Sequence, residues 1–152
     1  MPRSPSILLQ PRRTMPKTAL KRESAFYQQL RKAIKKTDRK LLLTRLETWA
    51  MPGVPDLLIC DENGQFHFIE LKHTATNAVN LSPHQVAWLS KHQHSSSWVF
   101  IKRDFLKAET SFIYIYKAAD VIDIKLQGLK KEPWYKAEYP LDWIEIFSLT
   151  IP

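Results

Sequence analysis

The chain is short of cysteine and glycine: its 152 residues include one Cys and three Gly, against ten Pro. One thiol, Cys60, can form neither an internal disulfide nor a cysteine zinc cluster. It follows Leu57, Leu58 and Ile59, so it is expected as a small buried hydrophobe in a strand, not as a nucleophile. With so few glycines and no compositional bias, a low-complexity flexible chain is excluded. No apolar run approaches the roughly 20 residues of a membrane-spanning helix. The basic N-terminus is not followed by an apolar signal segment. The expectation is one compact, soluble, cytoplasmic domain with no membrane partner.

Acidic residues are also scarce where the bases are dense. Residues 1–45 hold 13 Lys/Arg and two acids, Glu23 and Asp38, a net +11, whereas the remaining 107 residues hold 10 bases and 13 acids, a net −3. A positive field confined to one third of the chain suits a polyanion such as nucleic acid, although a solvated, solubilising face has the same signature.

Residues 1–16 carry Pro2, Pro5, Pro11 and Pro16 among Arg3, Arg12 and Arg13, which predicts an extended basic arm. Leu20, Tyr27, Leu30 and Ile34 then fall at helical spacing, widened by Phe26 and Ala33, and predict a helix over about 17–36. Glu23 sits inside that apolar stripe, where an unpaired carboxylate is costly and needs a cation or a metal, or a place at the rim beside a lysine.

Residues 40–48 read as a strand, 49–55 as a break, and 56–60 and 65–72 as the arms of a hairpin about Asp61-Glu62-Asn63-Gly64. Ser82-Pro83-His84-Gln85 opens a second helix, with Ser82 as N-cap and Gln85 closing a capping box. Strands are expected at 97–102 and 112–116 and a short helix at 118–129. The apolar tail from Pro133 should pack on the body or on a second subunit. The order describes an α/β domain, a mixed β-sheet flanked by helices.

On the second hairpin arm, Phe66, Phe68, Glu70 and Lys72 share one face, with His67, Ile69 and Leu71 on the other. Counted back from the turn, Asp56 and Glu70 should end close together. Two close carboxylates repel, and each raises the other's pKa. A hard divalent cation such as Mg²⁺ removes the conflict. Lys72 could then hold or activate the attacking water and offset charge building on a phosphorane-like transition state.

Pro55-Asp56 followed by Glu70-Leu71-Lys72 resembles the PD-(D/E)xK nuclease superfamily. The longer pattern from Gly53-Val54-Pro55-Asp56 through Phe68-Ile69-Glu70-Leu71-Lys72 to Leu81-Ser82-Pro83-His84-Gln85 resembles its VRR-NUC branch, related to Holliday-junction resolvases. The resemblance spans residues 18–103 and implies a restriction-endonuclease-like fold in residues 17–152, with 104–152 as a C-terminal extension. It further implies Asp56, Glu70 and the Leu71 backbone carbonyl as ligands of Mg²⁺ or Mn²⁺. Lys72 would position the water, and Glu23 would complete the metal site or hold a second ion. Gln85 would point at the site, with a plain capping box as the competing reading.

DNA contacts are expected from Arg12, Arg13, Lys17, Lys21, Arg22, Arg31, Lys35 and Lys36. The implied activity is a Mg²⁺-dependent DNA endonuclease on branched DNA, acting as a homodimer, in a bacterial or phage-infected cell. A restriction-like or nicking enzyme on duplex DNA, and a non-catalytic nucleic-acid-binding module, are the alternatives. His73 and His84 are expected as exposed polar residues, with phosphate contact as their functional alternative. His67, His92 and His94 have no zinc-ligand spacing. Trp49 offers either a stacking surface or core-edge packing.

Overall fold

The computed structural model describes residues 17–47 and 50–152, with side chains from residue 21 onward. The basic arm with Arg12 and Arg13, the side chains of Lys17 and Leu20, and Trp49 lie outside the described residues. The chain is an α/β domain built on one six-stranded mixed sheet, in the order β1 to β6, with helices on both faces. The elements are α1 (Lys17–Lys36), β1 (Leu42–Arg45), β2 (Leu57–Cys60), β3 (Phe66–Thr74), α2 (Pro83–Lys91), β4 (Ser97–Phe105), β5 (Thr110–Lys117), α3 (Val121–Gln127), β6 (Tyr135–Glu138) and α4 (Trp143–Thr150). Every neighbouring pair is antiparallel except β3 and β4, whose parallel pairing is allowed by the α2 crossover between them.

Alternation along the strands divides the core in two. On one face Leu57, Ile59, Ile69, Leu71, Phe100 and Ile113 meet the apolar stripe of α1 (Phe26, Leu30, Ala33, Ile34) and Ile146 and Phe147 of α4. On the other, Val99, Ile101, Tyr114 and Tyr116 pack against Leu89 of α2 and Val121 and Ile124 of α3. The α1 stripe is therefore where its periodicity places it, with Tyr27 half-buried at the edge.

The tail packs on the body of the same chain. Residues 104–152 supply β5, β6 and α4, and with them part of the main core. The short helix expected at 118–129 is broken into a 3-10 turn, α3 and a second 3-10 turn at Gly128. The first strand is shorter than expected, Leu42–Arg45, with one further ladder bond from Leu46 N to the Asp56 carbonyl at 2.7 Å. Cys60 is half-buried, not buried, because it sits at the hairpin end, with its thiol near the Asp61 carbonyl at 3.7 Å.

The hairpin turn is held by Asp61. Its Oδ1 accepts from Asn63 N at 2.8 Å and from Gln65 N at 2.9 Å, and its backbone carbonyl accepts from Gly64 N at 3.0 Å. Gly64 takes φ +76, the left-handed conformation that closes this turn. That fixes the register Leu57↔Ile69, Leu58↔Phe68, Ile59↔His67, Cys60↔Phe66. His67 is not a surface histidine. It is 3% exposed, between Asp61 Oδ2 at 2.9 Å and Ser96 Oγ at 2.6 Å, and ties the turn to the start of β4.

Candidate active site

Extending the hairpin register one step places Asp56 opposite Glu70. The pair is of the non-hydrogen-bonded kind, in which cross-strand side chains stand closest, with Cβ atoms about 5 Å apart. Asp56 bends back so that its Oδ2 accepts from the Leu71 backbone N–H at 3.1 Å. One residue earlier, Pro55 stands opposite Leu71 in the same register. Proline has no N–H, so β2 offers no ladder donor to the Leu71 carbonyl. In an extended strand that carbonyl points the same way as the Leu71 amide, toward Asp56. The Pro-Asp pair thus leaves a main-chain oxygen beside two carboxylates.

Glu70 is 1% exposed and lies on the α2 side of the sheet. Its Oε1 takes two donors: Gln85 Nε2 at 2.6 Å and Lys72 Nζ at 3.2 Å. Its Oε2 is buried and has no hydrogen-bond partner. Burial pushes the Glu70 carboxyl up to about 8, with Asp56 adding to the rise and Lys72 opposing it. Burial also raises Asp56, against the Leu71 amide and Lys72. Glu23 is likewise raised, first by burial, with Lys72 pulling down and Asp56 pushing up. Lys72 is 5% exposed, and burial alone would lower it, but Glu70, Glu23 and Asp56 together hold it above its ordinary value. Lys72 is thereby kept as an ammonium, which suits a hydrogen-bond donor and not a base.

Glu23 reaches this cluster from α1, at the end of the sheet where the two faces meet. The nearby cation expected for a carboxylate in the apolar stripe is Lys72, which acts on Glu23 through its charge while its ion pair is made with Glu70. Glu23, Ser24, Tyr27, Arg45, Asp56 and Leu71 line a small cleft of about 110 Å³. Gln85 satisfies both of its competing readings at once. Its Oε1 accepts from Ser82 N at 3.0 Å in a complete capping box, while its Nε2 holds Glu70. Gly53 brings the loop before Asp56 against the same helix. It has φ +95, and a Cβ there would lie 2.2 Å from the His84 carbonyl oxygen.

Three carboxyls, all held above their usual range by burial, stand against the Lys72 ammonium and the Arg45 guanidinium at the cleft. Among the described residues, no group of three or more His, Cys, Asp or Glu side chains forms a ready-made metal cage. Glu23 stands beside the Asp56–Glu70 pair without closing such a cage. A pair of carboxylates with a carbonyl is nevertheless a suitable donor set for Mg²⁺, which keeps several waters and takes the rest of its shell from substrate phosphate. The unpartnered Glu70 Oε2 is the oxygen that such an ion would satisfy.

The remaining expected site residues are dispersed. Lys21, Arg22, Arg31, Lys35 and Lys36 are all exposed on α1. Arg31 and Lys35 lie on the Tyr27 side, beside Leu41 and Leu43. Lys36 is on the opposite flank, facing Trp143 in a groove of about 540 Å³ that none of Glu23, Asp56 or Glu70 lines. His84 is exposed, as expected. His73 is not, because its ring pairs with Asp104 at 2.7 Å and its side chain is 5% exposed.

Sequence reading missed Arg45. Leu41, Leu43 and Arg45 alternate onto the α1 face of β1, which carries the Arg45 guanidinium over the Tyr27 ring at 4.8 Å. That alternation was the available signal.

No protein-family model matches the chain, and no curated protein matches it in sequence. No helix of the described residues is long and apolar enough to cross a membrane.

Proposed function

We propose that the protein is a metal-dependent DNA endonuclease of the PD-(D/E)xK kind, hydrolysing phosphodiester bonds in branched DNA as a homodimer. The observation that carries this reading is Glu70: a buried carboxylate opposite Asp56, gripped on one oxygen by Lys72 and Gln85 and unpartnered on the other. A structural ion pair has no use for the second acid or the free oxygen. Burying such a group without a function is costly.

Asp56, Glu70 and the Leu71 carbonyl would hold Mg²⁺ or Mn²⁺, and an ion bound there supplies Lewis-acid activation of the phosphodiester. Gln85 fixes one Glu70 oxygen and so orients the other. Lys72 stays protonated beside it and donates to the attacking water or to a phosphoryl oxygen on which charge develops. Glu23 keeps Lys72 charged and closes the α1 side of the cleft. The exposed cations of α1 supply the salt-sensitive, sequence-independent part of DNA affinity. Among the described residues no element stands out as a dedicated base reader, which favours recognition by shape. Paired nicks across a four-way junction need two sites related by a two-fold axis, hence the homodimer.

The test is a cleavage panel with Mg²⁺ or Mn²⁺ on linear duplex, single strand, flap and four-way junction, with Asp56→Ala and Lys72→Met as controls. Junction cutting at least about 100-fold above both controls is expected, as for loss of a group that stabilises transition-state charge. Equal cutting of all four substrates discards the branched-DNA assignment. No cutting of any discards the enzyme. Native mass spectrometry reads the dimer directly.

A further inference from the structure

Tyr27 lines two depressions at once. One is the carboxylate cleft, and the other is a groove of about 250 Å³ running along the seam of α1 and β1 past Arg31, Ile34, Lys35, Leu41 and Leu43. The two adjoin at Tyr27, the one residue common to their linings. The rim of this path is cationic. Arg45 stands at the cleft end, and Arg31 and Lys35 follow one helical turn apart, roughly 6 Å along the axis. Among the described residues, none of the three has a carboxylate within ion-pair distance, whereas Arg39 nearby is paired to Glu62. The floor is apolar, from Ile34 and Leu41, both 7–8% exposed, and half-buried Leu43.

A cationic rim over an apolar floor does not match duplex DNA, which presents phosphates outward and keeps its bases stacked inside. It matches an unpaired strand, whose phosphates meet the rim and whose bases find an apolar or planar surface. Arg45 supplies that plane. Tyr27 backs one side of its guanidinium, and the residue is exposed.

We propose that the α1–β1 seam is a track for one unpaired DNA strand leading from the carboxylate cluster, with Arg45 on Tyr27 as its stacking platform. The proposal rests on the nuclease reading only for what the strand leads to. Strand binding itself can be measured with no cleavage at all.

The experiment is fluorescence anisotropy of fluorescein-labelled dT15 and of a 15-base-pair duplex with the full chain in EDTA, across a salt series. The expected result is tighter binding of dT15 than of duplex. Arg45→Ala should weaken dT15 about tenfold, the effect of losing one stacked base. Arg45→Lys, which keeps the charge and loses the plane, should recover little of that loss. Arg31→Ala with Lys35→Ala should lower the salt slope by about 1.4, the value for two phosphate contacts on a single strand.

The charge-matched control is Lys107→Ala with Lys130→Ala, exposed residues off α1 and off the track, and it should leave dT15 binding unchanged. Tyr27 packs on the core, so the exposed Arg45 variants carry the test if Tyr27→Ala loses stability. Tighter duplex binding, wild-type behaviour of Arg45→Lys, or a control as damaging as the Arg31/Lys35 pair would each overturn the track. Junction cleavage without dT15 binding removes the track and leaves the nuclease. Binding of dT15 without any cleavage does the reverse.

Discussion

Gln85 donates to Glu70 Oε1 across 2.6 Å from the first turn of α2, and the other end of the same amide accepts from Ser82 N at 3.0 Å. One side chain therefore closes a helix cap and holds a buried carboxylate. Any movement of the N-terminus of α2 is transmitted to the oxygen that Lys72 also contacts. The site is built across three elements, α1, the β2–β3 hairpin and α2, and Gln85 is the link to the third.

Gln85→Ala should cost on the order of 1 kcal/mol through the lost capping box and should also reduce catalysis by freeing Glu70. Gln85→Glu separates the two effects. A glutamate still accepts from Ser82 N, so the capping-box part of the lost stability should return. Facing Glu70, however, it replaces a donor by a like charge, and cleavage should stay low or fall further. Melting temperature and cleavage rate on the same three proteins check this. Parallel recovery of both would mean that the cap alone matters.

Gly53 couples the loop before Asp56 to α2. Its positive φ and the His84 carbonyl oxygen in the Cβ position leave no room for a side chain, and the obstacle is backbone, which cannot swing aside. Gly53→Ala should therefore cost on the order of 2 kcal/mol or more and impair cleavage beyond that, because the loop that positions Asp56 must back away from Gln85. Gly64→Ala is the comparison. It also has positive φ, but nothing lies within 4 Å of its Cβ position, so its loss should be smaller and confined to stability.

The parts of this arrangement that were legible in the sequence are those set by local periodicity. The α1 stripe, the alternation on β3, the register of Asp56 with Glu70 and the Ser82 cap all follow from spacings of two, three or four residues, and all are present. Glu23 was legible as an anomaly in a stripe, although the charge that acts on it, Lys72, lies 49 positions away in the chain. What was not legible depends on packing between distant segments. Tyr135–Glu138 pairs with β5 as an edge strand without a strong strand pattern of its own. His73 finds Asp104 only because β3 and β4 run parallel side by side. For Arg45 the alternation with Leu41 and Leu43 gave its face of β1, but not the Tyr27 ring of α1 beneath it.

The raised Glu70 carboxyl makes stability depend on pH in a definite direction. Its folded value is pushed up to about 8 by burial and by Asp56, well above the usual carboxylate range. A raised group favours the folded state below its unfolded pKa, and that contribution is lost as pH rises through the folded value. The metal-free protein should thus lose thermal stability between about pH 4 and pH 8. Glu70→Gln should remove this part of the loss, so that the variant is the more stable of the two at pH 8 in EDTA. Adding Mg²⁺ should raise the melting temperature of the wild type and leave Glu70→Gln nearly unchanged. A wild type that ignores Mg²⁺ in this assay would speak against Glu70 as a ligand.

Asp61 gives the opposite sign at the far end of the hairpin. His67, followed by the Gln65 and Asn63 amides, holds its carboxyl below the usual range. A depressed carboxylate stabilises the fold above its unfolded pKa, about 4, and that contribution is lost as pH falls through the lower folded value. Asp61→Asn should therefore unfold at a lower urea concentration than wild type at pH 7, and the two midpoints should converge as the pH is lowered through the depressed folded value. Asp61 lies at the turn, away from the Asp56–Glu70 end of the same strands, so cleavage by Asp61→Asn at neutral pH should fall only as far as the fraction folded falls. A larger loss of activity than of folded protein would mean that the turn sets the register on which the two acids depend.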